Sequence, residues 1–165
     1  MDTEAEIERK FWKALEDDRV AMLGLVGVEQ GHSQPMSAQL LEEDRERGGP
    51  IWFFTSKETE LAQALGQAQR AQLHFSAKGH ELFAAVHGEL TPTTDRALID
   101  RLWNRFVAAW FEGKDDPKLL LLRFDADRAQ IWLNENSTFA GIRIMLGRDP
   151  KKGYERKVAD VDLRH

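Results

Sequence analysis

The stretch RAQLHFSAKGHELFAAVHGEL, residues 70–90, alternates apolar and polar side chains in two runs separated by a short turn. Ala71, Leu73, Phe75 and Ala77 fall on one side of the first run; Gln72, His74 and Ser76 fall on the other. A period of two is the signature of a strand with one buried face, and Lys78-Gly79-His80 supplies a turn. Residues 70–90 therefore predict a β-hairpin, and with it antiparallel rather than parallel pairing.

Working outward, residues 3–17 place Ile7, Phe11, Trp12 and Leu15 on one stripe of an amphipathic helix among glutamates. VAMLGLVGV, residues 20–28, predicts a strand covered on both sides, and MSAQLLE, residues 36–42, a second short strand. PIWFFTS gives a third, and KETELAQALGQAQ then changes to helical spacing with Leu61 and Leu65 on one face. Thr93-Thr94-Asp95 starts a helix in which Leu98, Ile99, Leu102, Trp103, Phe106, Val107, Trp110 and Phe111 recur in pairs every four residues. KLLLLRFD and AQIWLNE predict a second hairpin about a turn at Ala126-Asp127-Arg128. A last helix is expected near residues 137–146, followed by the polar tail GRDPKKGYERK. Six or seven hairpin-connected strands with peripheral helices suit a small barrel, in a single domain over residues 1–165.

The balance of residues narrows the functions. Net charge is −5, which argues against a general nucleic-acid binder. The absence of cysteine removes disulfides, thiolate metal sites and thiol catalysis. The acidic, helical start and the lack of a long apolar run lead to the expectation of a cytoplasmic protein with no membrane partner. No phosphate-binding glycine loop, zinc-protease helix or serine-nucleophile elbow occurs, so no catalytic side chain and no metal ligand is assigned.

What remains is the junction IWFFTSKETE, residues 51–60. Thr55 and Glu58 have the spacing of a capping box, which accounts for the hydroxyl and the acid without any ligand. The same geometry would aim free N–H groups, Thr55, Ser56 and Lys57 at an anion such as a phosphate.

The order of helix, VAMLGLVG, a Pro-Met strand, IWFFTS, a hairpin ending in VHGEL, then DRLW and a late IWLN resembles a known family. It is similar to the general-stress-protein branch of the pyridoxamine 5′-phosphate oxidase-like proteins, over about residues 3–163. The resemblance implies a mainly β fold, a six-stranded antiparallel split barrel that dimerises and binds FMN (or FAD) in clefts between subunits. It places Met36, Ser37, Ala38 and Gln39 beside the flavin ring. Phe53, Phe54 and Thr55 fall against the flavin and its phosphate, and Trp103 near the pocket, while Ser56 and Lys57 join the phosphate side from the reading of the junction itself. It also assigns the wide apolar face of residues 98–111 to a homodimer interface. Basic residues usual in the family are replaced here by Gln34 and by Glu60 and Leu61, so the charge toward a phosphate would have to come from Lys57, at a different position, and from the helix N-terminus. Pyridoxamine-phosphate oxidation itself would need further basic residues, and Arg156 and Lys157 stand in no matching motif. The implied function is flavin binding of the general-stress type, with or without oxidoreductase activity; a flavin-free homodimeric scaffold is the alternative.

Overall fold

Thr3 opens the first helix by accepting a hydrogen bond from the Glu6 N–H, while the Glu6 carboxylate accepts from the Thr3 N–H. This reciprocal cap starts α1 (Glu4–Asp18), which ends where Arg19 turns left-handed at φ 59°. The computed structural model describes residues 3–28, 31–45, 47–134 and 158–164. The buried stripe of α1 is the expected one, Ile7, Phe11, Trp12 and Leu15, and Phe11 meets Phe75 of the barrel edge-on at 6.3 Å.

The strands are β1 (Val20–Leu25), β2 (Gln34–Ser37), β3 (Ile51–Ser56), β4 (Gln69–Ser76), β5 (Leu82–Thr93), β6 (Leu119–Leu133) and β7 (Val158–Asp162). They pair antiparallel in the order β2-β1-β4-β5-β6-β3, with β7 also on β6. Gln39 and Trp52 exchange two backbone hydrogen bonds of 2.7 and 2.9 Å, which links the end of the β2 segment to β3 and brings the six-stranded barrel close to closure. The helices α2 (Glu60–Ala64), α3 (Arg96–Leu102) and α4 (Arg105–Ala108) lie between the barrel strands in sequence. This is the mainly β barrel expected from the hairpin pattern, in the split-barrel form that the resemblance implies.

Burial divides the apolar side chains into two groups. Phe53, Leu73, Val86, Leu90, Leu122, Phe124 and Ile131 belong to the main core, together with the α1 stripe. A second cluster, Trp52, Ile99, Leu102, Leu119 and Leu121, packs α3 on the opposite face of β3 and β6. Period-two alternation makes both possible: successive residues of one strand serve different cores.

Several expectations are corrected. The segment about residues 126–128 is not a turn, because β6 runs unbroken from Leu119 to Leu133. Ala-Asp-Arg lacks the glycine or asparagine that a tight hairpin turn requires, and Asp127 instead forms a bulge. His87 pairs with Arg128 and Gly88 with Ala126, which leaves Asp127 as the extra residue. Its carboxylate takes two hydrogen bonds from Arg70, at 2.5 and 3.2 Å. β1 is not covered on both sides, since Val20 and Met22 are exposed while Ala21 and Leu23 are buried. β2 begins two residues earlier than expected and the chain makes a 3-10 turn at Glu42–Asp44. The apolar run from Leu98 to Phe111 is two short helices rather than one, broken at Trp103-Asn104. β7 continues the chain where a polar tail was expected to finish it, with Val161 and Leu163 buried against the barrel. The helix expected near residues 137–146 and the polar stretch 147–157 lie outside the described residues.

The bulge carries a pH dependence. Burial first, then the Arg128 and Arg70 charges, push the His87 pKa below its ordinary 6.5, with Asp127 pulling the other way and His74 adding a small downward push. A depressed histidine binds fewer protons folded than unfolded, so its contribution is present above 6.5 and is lost as pH falls through that window. A His87→Gln variant is expected to show a shallower fall in melting temperature over that range than the parent; equal slopes would contradict the assignment.

Candidate functional site

The ten residues expected at a ligand do not share one face. Met36, Ala38 and Phe53 point into the main core, and Thr55 is buried at 6% exposure. Their side chains are unavailable to a ligand outside the barrel. Ser37 is exposed and Phe54 and Trp103 are half-buried; Gln39 is as buried as Thr55, at 7% exposure, but its amide turns to the outer elements and hydrogen-bonds to Ser37 Oγ and Asn104. These belong to the outer side, where Phe54 and Trp103 meet edge to face at 6.0 Å and Trp103 in turn contacts Phe111 at 6.5 Å.

The capping box at Thr55 and Glu58 does not form. Thr55 is still in β3, and α2 starts only at Glu60 with Thr59 as its cap, whose hydroxyl accepts from the Ala62 N–H. The Thr55 hydroxyl lies 3.4 Å from that of Thr59, Ser56 Oγ accepts from the Glu58 N–H, and Glu58 pairs with Lys118 at 3.6 Å. The reason is local: β3 keeps pairing with β6 through Ser56, and the Lys57 N–H still bonds to the Lys118 carbonyl, so the backbone cannot turn helical at Thr55. With only five residues in α2, no helix dipole supports an anion here. Lys57 is exposed and has no ion-pair partner among the described residues.

The edge of β3 that faces the β2 segment is only lightly paired. Trp52 gives both main-chain groups to Gln39, and this single bridge is the pairing between that edge and the β2 segment. Strand alternation directs the Phe54 main-chain groups to the same edge, where the strands part. Nearby, Trp52 is 1% exposed, and its indole N–H has no acceptor among the described residues. Arg123 lies over its ring at 5.6 Å.

Asn104 was not singled out from sequence. Its only signal is an amide residue, a favoured cap, placed inside an apolar helical run. Its Oδ1 accepts from the N–H groups of Phe106 and Val107, both at 3.0 Å, and so starts α4. That restart leaves Phe106 and Trp110 exposed at 67% and 85%. No helix among the described residues is long and apolar enough to cross a membrane.

A split barrel with an aromatic and amide-lined outer edge defines a class, and the comparisons identify it. The family model for pyridoxamine 5′-phosphate oxidase-like proteins matches residues 6–151, and the chain belongs to that family. It is similar to general stress protein 26 of Bacillus subtilis (strain 168), 26% identical over 125 residues, or 74% of this chain and 85% of the relative. Among solved structures it resembles the general stress FMN/FAD binding protein of Xanthomonas citri, with 60% identity, TM-score 0.73, and coverage of 79% of this chain and 90% of the other. It also resembles a protein of Jannaschia sp. CCS1 assigned as a general stress protein 26, at 33% identity and TM-score 0.78, covering 97% of this chain and 99% of the other.

Proposed function

We propose that this protein binds FMN at the outer edge of β3, as a homodimer of the general-stress type. The observation that carries this is the grouping of Phe54, Trp103, Ser37 and Gln39 outside the barrel, in a chain 60% identical to an FMN/FAD binding protein. The donor set fits the ring portion of a flavin: aromatic side chains offer an apolar wall, and hydroxyl and amide groups offer hydrogen bonds to its polar rim. For the phosphate, Lys57 supplies the charge. When bound, the flavin would supply hydride or electron transfer, which requires no acid or base from this chain. The residues' own part is to orient the ring and keep water from its face. Exposed Phe106 and Trp110, with Val20 and Met22 on β1, are apolar surface of the kind a second copy covers.

Titration of FMN against the protein, followed by tryptophan fluorescence, tests the proposal. Saturable quenching is expected. Lys57→Ala should weaken FMN about tenfold, the scale of one lost charge contact. It should leave riboflavin, which lacks the phosphate, unaffected, and should hardly move the melting temperature because Lys57 is exposed. Fluorescence indifferent to FMN, FAD and riboflavin would end the flavin assignment, and equal FMN affinity in Lys57→Ala would remove that residue from the phosphate.

A further inference from the structure

Granted the flavin site proposed above, we infer that Asn104 is a positioning residue that fixes the Gln39 amide as a hydrogen-bond donor toward the ligand. Side-chain amides are ambiguous, since either end can face a given neighbour. Here the main chain removes the ambiguity. The N–H groups of Phe106 and Val107 can only donate, so the Asn104 atom they meet at 3.0 Å is its oxygen. Its nitrogen is therefore the other end, and donates to the Leu102 carbonyl at 3.3 Å and to Gln39 at 3.2 Å. The Gln39 atom that receives it must be Oε1. That leaves Gln39 Nε2 turned toward exposed Ser37, whose hydroxyl oxygen it reaches at 3.4 Å. The polarity of the α4 main chain thus passes through two amides to the β2 segment.

Two features make this more than a local cap. The Gln39 backbone is held by both hydrogen bonds to Trp52, so its side chain starts from a fixed point. Gln39 is 7% exposed, Ser37 is a long partner for its Nε2, and the second amide N–H has no acceptor among the described residues. The chemistry selected is an acceptor: a carbonyl oxygen or an unprotonated ring nitrogen, such as a flavin carries on its pyrimidine rim. A ligand offering only N–H groups at this point would leave two donors facing each other and would be disfavoured.

Asn104→Asp separates positioning from capping. The introduced carboxylate still accepts from Phe106 and Val107, and aspartate is as good a cap as asparagine, so α4 should persist. It has no hydrogen to give Gln39, whose amide then turns over and shows its oxygen to the ligand. Relative to the parent, Asn104→Asp is expected to weaken both FMN and riboflavin about tenfold and to shift the visible absorption band of the bound flavin. Gln39→Glu leaves the cap untouched, still accepts from Asn104, and removes the outward donor; it should lose riboflavin affinity to a similar extent. If Asn104→Asp melts well below the parent, the Gln39→Glu titration decides. Parent binding with unchanged affinity and spectrum in the decisive variant overturns the role of Asn104 and Gln39 alone. A parent that binds neither flavin overturns the proposed function and this inference with it.

Discussion

Gly88→Val is expected to be the most damaging single substitution at the barrel bulge. A Cβ on Gly88 would stand 2.3 Å from the Asp125 carbonyl oxygen and 2.9 Å from the Ala126 Cα. Both are main-chain atoms of β6, held by pairing with β5, so neither can step aside as a flexible side chain would. Forced overpacking of this kind costs roughly 3 kcal/mol, and about 2–4 °C per kcal/mol for a chain of this size gives a melting temperature lower by about 6–12 °C. Gly66→Ala is the control, because none of the described residues lies within 4 Å of its added carbon; it should stay within about 0.5 kcal/mol of the parent. Thermal melts of both variants check this. A Gly88→Val protein that melts with the parent would mean that the bulge at Asp127 is not held as described.

The adjacent pair Phe53 and Phe54 should respond in opposite ways. Phe53 is fully buried in the main core, so Phe53→Ala leaves a cavity and should cost about 3–5 kcal/mol, read from the urea midpoint. Phe54 is half-buried on the outer side against Trp103, and Phe54→Ala should cost only about 1 kcal/mol. Binding should reverse the order. In Phe54→Ala the FMN affinity falls about tenfold with the fold intact, whereas the folded fraction of Phe53→Ala binds with near-parent affinity. Equal binding losses in the two folded proteins would show that the ligand does not distinguish the faces of β3.

Legibility in the sequence followed the strength of local signals. The hairpin over residues 70–90 alternates without interruption, and the buried set Ala71, Leu73, Phe75 and Ala77 is the one expected. The stripe of α1 was equally clear because helix spacing and burial agree. β6 was misread because Ala126-Asp127-Arg128 is polar between two apolar runs, which is how a turn looks; only the pairing with Gly88 shows a bulge. The T-x-x-E pattern at Thr55 was a true motif overridden by tertiary pairing with β6. Thr3 and Glu6 form the cap that Thr55 and Glu58 do not. At the site, the residues that the resemblance names divide between the two faces of their strands. Alternation sends Met36, Ala38, Phe53 and Thr55 inward and leaves Ser37 and Phe54 outward, and it could be applied only once the register was known. Asn104 escaped notice because its role depends on Gln39, 65 residues away in sequence.

The central claim is that the outer edge of β3 holds FMN, and reconstitution tests it most directly. The purified protein would be incubated with FMN, passed over a gel-filtration column, and monitored by visible absorption across the eluted peak. Flavin absorption travelling with the protein, and reduced in that peak in Phe54→Ala, is the predicted result. A colourless protein peak with all of the FMN in the small-molecule fraction would contradict it.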